Sequence, residues 1–228
     1  RAVRNIMEEA MRERAFSLSE KSVTKDDLVI LEPLDFGIDP NQLFGDNIED
    51  LMAQLRNLVG LKDVKKQVSS IMNYVRAEKR REKMGHPMND LSLHMVFTGN
   101  PGTGKTTIAR LISQILKSIG VLKRGHMIEV TREDLVGQYV GQTGPKTLEK
   151  IKEAYGGVLF IDEAYSLYSA SENDFGYEAI STLIKEMEDN RDKLVVIMAG
   201  YPSEMEQMLS MNSGIRSRIA YTVDFPDY

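Results

Sequence analysis

Residues 99–107 read Gly-Asn-Pro-Gly-Thr-Gly-Lys-Thr-Thr, and no other stretch restricts the possible folds as much. It fits the P-loop pattern G-x-x-x-x-G-K-[ST], with Gly99, Gly104, Lys105 and Thr106 at the fixed places. The spacing follows from the chemistry of a phosphate chain. Several backbone N–H groups must turn inward, and glycine takes up the required dihedrals without a Cβ clash. Asn100, Pro101, Gly102, Thr103, Gly104, Lys105, Thr106 and Thr107 are the candidate nucleotide-binding residues. Lys105 would reach the β- and γ-phosphates, and the Thr106 hydroxyl would ligate Mg²⁺. The positive end of the helix that follows points at the same phosphates.

The flanking sequence supplies the context that the motif needs. Residues 93–98 form a short apolar run suited to a buried strand. Ile108, Leu111, Ile112, Ile115 and Leu116 then fall at i, i+3, i+4, i+7 and i+8, an apolar helical stripe. Strand, glycine-rich loop and helix come in the required order. A surface turn that matches by accident would not carry both flanks.

Downstream, the chain alternates strands and helices. Strands are expected at 126–131, 158–161 and 194–198, with a final edge strand at 220–225. Helices are expected at 145–155, 177–189 and 203–211, and residues 134–143 read as a glycine-containing loop. Upstream lie a short helix at 50–58 and a longer one ending near residue 83. The charge run at 76–83 interleaves Glu78 and Glu82, which favours a solvated helix end over a nucleic-acid patch. This alternation predicts an α/β fold, a P-loop three-layer αβα sandwich with a five-stranded parallel sheet and the P-loop strand central.

The second half of a nucleotide site stands at residues 158–163, four apolar residues followed by Asp162 and Glu163. This is the Walker B pattern. The strand places both acids at its carboxyl end, beside the P-loop. Asp162 would hold Mg²⁺ with Thr106. Glu163 would polarise the attacking water as catalytic base. ATP and Mg²⁺ are the expected cofactors.

Composition removes several other classes. The 228 residues carry 29 Lys plus Arg and 34 Asp plus Glu, a net charge of −5, so there is no footprint for sequence-blind nucleic-acid binding. With no cysteine, neither disulfides nor thiolate chemistry enter. His86, His94 and His126 have no metal-ligand spacing. No apolar run reaches the ~20 residues of a membrane span, and a signal peptide is not expected from the opening residues. A cytoplasmic protein that binds neither nucleic acid nor membrane is expected.

With its Gly-Asn-Pro-Gly-Thr-Gly-Lys-Thr loop and Asp-Glu Walker B, residues 51–228 resemble AAA+ ATPases. Residues 162–167, 173–176 and 196–201 are similar to the branch containing red-type Rubisco activases and stage V sporulation protein K. That resemblance implies a ring, a hexamer when complete, that hydrolyses ATP to remodel or thread a protein client. It assigns Tyr139 and Val140, followed by Gly141, to a pore-facing loop that grips the client. Residues 214–219 match the arginine-finger stretch, with Arg218 preferred and Arg216 second. Either would act with Lys105 and Glu163 in catalysis, across to a neighbouring subunit's site. Val59 and Gly60 match the adenine-contacting place. Tyr201 stands at the sensor position, where many members have Asn.

The resemblance also bears on domain organisation. Residues 1–47 read as a helical extension and linker, similar to the tail of a preceding AAA+ lid, with an amphipathic helix at 1–17. Residues 48–228 read as the nucleotide-binding large subdomain. The extension could instead pack on its own core. The chain resembles a fragment of a tandem protein whose C-terminal lid lies beyond it. A rival reading is a nucleotide-gated assembly factor or scaffold in which hydrolysis only resets the complex. A DNA-acting loader and a small-molecule P-loop kinase fit the residues less well.

Overall fold

The computed structural model describes Met11 and residues 48–85, 92–168 and 174–227. Met11 apart, these belong to the compact unit Ile48–Tyr228. Met11 aside, the helix expected at 1–17 and the linker before residue 48 lie outside the described residues.

Five parallel strands form one sheet: β1 (Met95–Gly99), β2 (Met127–Val130), β3 (Gly157–Ile161), β4 (Leu194–Gly200) and β5 (Tyr221–Phe225). Their spatial order is β2-β3-β4-β1-β5. The P-loop strand β1 is therefore interior but not central, because β4 holds the middle. β5, the expected edge strand, follows the last helix and closes the sheet beyond β1, pairing Val223 with Phe97 and Phe225 with Gly99.

Alternate residues of each inner strand enter different cores. Met95 and Phe97 of β1, Val158 and Phe160 of β3, and Val195, Ile197 and Ala199 of β4 face one way. Val96, Leu159, Ile161, Val196 and Met198 face the other. Both faces are covered, which is why these strands read as unbroken apolar runs rather than as alternation.

Three helices line the first face: α1 (Ile48–Asn57), α2 (Lys62–Lys83) and α3 (Lys105–Ile119). α2 buries Val64, Val68, Ile71, Met72 and Val75, the helical spacing of one stripe. Its charged end pairs with itself, Lys79 with Glu82 at 2.7 Å and Arg81 with Glu78 at 2.8 Å. The second face is covered by α5 (Thr143–Glu153), α6 (Gly176–Asp189) and α7 (Pro202–Met211).

Two short helices were not expected from periodicity. Overlapping the start of the stretch read as a loop, residues 132–135 form one helical turn, α4 (Arg132–Leu135). Thr131 and Asp134 make its reciprocal capping box, with Thr131 N–H donating to Asp134 at 2.9 Å. That bond holds the Asp134 carboxyl below its usual range. The second is α8 (Ser213–Arg216), capped where Ile215 N–H donates to the Asn212 side chain at 3.1 Å.

Candidate nucleotide site

The site begins where β1 stops. Gly99 has φ +148°, and a Cβ there would stand 2.5 Å from the Phe225 carbonyl oxygen. Only glycine lets β1 run this close to β5 and then leave the sheet. Gly104, at φ 94°, opens α3 in the left-handed region. Between them the loop is tied by Thr103, whose hydroxyl donates to the Asn100 carbonyl at 2.8 Å.

Lys105 is nearly buried at the base of this loop. Its Nζ donates to the carbonyl oxygens of Gly99 at 2.8 Å and Asn100 at 2.7 Å. Burial pushes the ammonium below the ordinary lysine range, while the Asp162 carboxylate works in the opposite direction. A second tether lies outside the loop. The Asn100 side chain donates to both carboxylate oxygens of Asp227 at 2.9 Å.

The acids arrive from β3. Asp162 follows the last strand residue, and its carboxylate accepts the Glu163 N–H at 3.0 Å. Glu163 is exposed and sits at φ 48°, a left-handed conformation uncommon outside glycine. A 3-10 turn (Ala164–Leu167) starts immediately after it, with Ser166 N–H donating to the Glu163 carbonyl at 2.8 Å.

Loop and acids meet around one cavity of about 320 Å³. Pro101, Gly102, Gly104, Lys105, Thr106, Thr107, Asp162, Glu163 and Tyr201 line it, as the sequence suggested, together with Gly99 and Gly200. Gly200 lies in the 196–201 stretch but is not among the candidate site residues. Packing favours glycine there, since a Cβ would meet Tyr165 at 2.7 Å and Met205 at 2.8 Å. Tyr201 opens α7, and its ring lies 6.0 Å from that of Tyr165.

The donor set suits a hard divalent cation. Thr106 offers a hydroxyl and Asp162 a carboxylate, both oxygen ligands. No group of three or more His, Cys, Asp and Glu side chains among the described residues could hold a metal by itself. A cation held by one or two protein oxygens and by phosphate oxygens is the usual arrangement for Mg²⁺.

The remaining candidates lie elsewhere. Val59 and Gly60 are exposed in the bend between α1 and α2 and do not line the cavity. Tyr139 and Val140 are 67% and 84% exposed, the state a gripping loop requires. The ends of their loop are fixed from α5. Lys146 donates to the Val136 carbonyl at 3.0 Å, Thr147 to the Leu135 carbonyl at 2.9 Å, and Gly137 N–H to the Thr143 hydroxyl at 3.0 Å.

The two arginines differ in their surroundings. Arg218 lies with Nε 3.2 Å from Glu188 Oε2 and donates from a terminal nitrogen to the Gly214 carbonyl at 2.8 Å. Arg216 is exposed and has no ion pair among the described residues.

Comparison with known proteins agrees with this geometry. The family described as ATPases associated with various cellular activities matches residues 95–226, more than half of the chain. The chain belongs to the AAA ATPase family. Among curated AAA relatives, chromosomal protein CbxX of Cupriavidus necator is 53% identical over 188 residues, covering 82% of this chain and 59% of that protein. The chloroplastic ribulose bisphosphate carboxylase/oxygenase activase of Cyanidioschyzon merolae is 49% identical, over 79% of this chain and 62% of its own length. Stage V sporulation protein K of Bacillus subtilis is 46% identical, over 79% and 56%. These relatives place the AAA chain in the Rubisco activase and sporulation protein branch. The chain thus spans about three fifths of their length. The crystal structure of the FIGL-1 AAA domain in complex with ADP shares the fold, with a TM-score of 0.51 and 18% identity over 80% of this chain and 63% of that one.

Proposed function

We propose that this AAA module binds ATP with Mg²⁺ between the P-loop and the β3 acids, hydrolyses it, and uses the cycle to remodel a protein client as part of a ring. One observation carries the reading: Lys105, Thr106, Asp162 and Glu163 converge on a single cavity. Lys105 binds the phosphates as a compact cation. Thr106 and Asp162 would hold Mg²⁺, which when bound would neutralise charge building on the transferred group. Glu163, exposed at the cavity, would polarise the attacking water as the base. Tyr201 and Gly200 complete the lining of the same cavity.

Assembly would complete the site. In this reading Arg216 reaches the neighbouring subunit's phosphates and Arg218 braces the turn that presents it, the reverse of the order preferred from sequence. The support is exposure, since Arg218 is already engaged by Glu188 and Gly214. Tyr139 and Val140 would contact the client, because an exposed aromatic on a braced loop is suited to grip extended chain. One relative is named for ribulose bisphosphate carboxylase/oxygenase, which makes that enzyme a first client to try and a hexamer the first assembly to look for.

Phosphate release on addition of ATP·Mg²⁺, alongside titration of a fluorescent ATP analogue, tests the reading. The parent should bind and turn over, and Lys105→Ala should lose both. Equal binding by parent and Lys105→Ala would sink it.

A further inference from the structure

Between the nucleotide site and the exposed loop stands a side chain with no part in either. Arg132 is the first residue of α4, and its guanidinium spans two other segments. One terminal nitrogen donates to the Ser166 carbonyl at 2.6 Å, in the 3-10 turn that begins right after Glu163. The other is paired with Asp174. Asp174 is nearly buried and also accepts the Gly176 N–H at 2.9 Å, at the start of α6.

The guanidinium packs closely against the start of α6. A Cβ on Gly176 would stand 2.1 Å from the Leu167 carbonyl oxygen and 2.8 Å from the Arg132 guanidinium. The fork of arginine can hold two acceptors at fixed angles, which lysine as a point donor cannot. A continuous chain of contacts results. The Glu163 carbonyl accepts from Ser166 N–H, the Ser166 carbonyl accepts from Arg132, and the Arg132 carbonyl accepts from Val136 N–H at 2.8 Å, where the loop begins. The loop's far side is tied to the same helix, with Gly144 N–H donating to Glu178 of α6 at 3.0 Å.

We infer that Arg132 is a positioning residue that couples the Glu163 segment to the loop bearing Tyr139 and Val140. This rests on the reading of that loop as nucleotide-driven. When the turn after Glu163 changes with the state of the nucleotide, the guanidinium carries the displacement to α4 and thus to the loop. Removing the fork leaves the nucleotide site complete and the loop intact, and separates their responses. An indirect link of this kind is physical coupling only if both ends respond together.

The chain has no cysteine, so Val140→Cys gives a single labelling position for an environment-sensitive dye. Emission is compared between ADP·Mg²⁺ and slowly hydrolysed ATPγS·Mg²⁺, with the affinity of each variant measured in parallel. In the labelled parent, emission should change with nucleotide. In Arg132→Gln the change should fall about fivefold or more, the lower end of usual coupling factors, with ATPγS affinity within about twofold of the parent. Arg132→Lys should recover only part of the change. Asp174→Asn, which keeps an acceptor for Gly176, should also reduce it, and it serves as the test if Arg132→Gln does not fold. A merely structural arginine would lower the melting temperature and leave the emission change in place. A full change in either Arg132→Gln or Asp174→Asn overturns the inference alone. No change in the parent overturns the nucleotide-driven loop, and the inference falls with it.

Discussion

The Lys105 ammonium donates to the Gly99 carbonyl at 2.8 Å, so the cation proposed to bind phosphate is held by the residue at which β1 leaves the sheet. Gly99 itself is held by β5, whose Phe225 carbonyl leaves no room for a Cβ. Position 99 therefore links sheet packing to ligand geometry. Gly99→Ala should cost about 1–3 kcal/mol of stability through strain at a positive φ. It should also weaken ATP binding about tenfold or more by displacing the lysine. Denaturant unfolding and nucleotide titration read the two effects separately. Unchanged affinity in a folded variant would show that the loop is positioned independently of β5.

Buried His94 gives the AAA core a pH-dependent stability. Its Nδ1 accepts the Val196 N–H at 3.0 Å, so Nε2 carries the proton and donates to the Met187 carbonyl at 2.9 Å. The neutral ring is thus satisfied on both sides. Burial pushes its pKa down, the Met187 bond and Glu188 oppose that, and Arg218 adds to it. In the unfolded chain the ring titrates near 6.5. As pH falls below that value the unfolded state takes up a proton that the native state refuses. Stability is therefore full above about 6.5 and falls towards the lowered native value, by up to about 1.4 kcal/mol per pH unit. His94→Gln should be less stable at pH 8 but lose this part of the acid slope. Parallel slopes for parent and variant in urea unfolding from pH 8 to 5 would refute the assignment.

Arg216 and Arg218 should separate cleanly. Arg218→Ala removes an internal brace and should cost roughly 1 kcal/mol of stability. Arg216→Ala should change stability by no more than about 0.5 kcal/mol, as for an exposed residue with no ion pair among the described residues. In the assembled state it should nonetheless lower turnover by about 10³-fold, the size expected of a trans arginine. Phosphate release as a function of protein concentration provides the measurement. An Arg216→Ala ring with parental turnover would return the role to Arg218.

Tyr139 is two-thirds exposed, so Tyr139→Ala should leave stability within about 0.5 kcal/mol and nucleotide turnover intact. Client remodelling should be lost. Retained remodelling would favour the scaffold reading, in which ATP builds an assembly and hydrolysis only resets it.

Much of this was legible in the sequence where the signal is local. The P-loop and the Asp162-Glu163 pair are contiguous, and strands buried on both faces announce themselves as apolar runs. What escaped depends on residues distant in sequence. The middle place of β4 is set by which strands pair, which periodicity does not encode. The α4 turn rests on a four-residue capping box too short for a helical stripe. Tyr165 and Met205 crowd position 200 so that glycine fits there, and Arg132 meets Asp174 across 42 positions. The pairing of Arg218 with Glu188 likewise joins residues that only folding brings together. Val59 and Gly60 stand outside the described cavity, and their role in binding adenine remains a proposal for mutagenesis.

The most direct measurement is ATP turnover and ATP affinity of Glu163→Gln beside the parent, under identical Mg²⁺. Glutamine keeps the shape at this left-handed position and removes the basic carboxylate. The account predicts affinity within about twofold of the parent and turnover reduced on the order of 10²-fold or more. Parental turnover in Glu163→Gln would contradict it, since no other carboxylate beside Asp162 lines the cavity among the described residues.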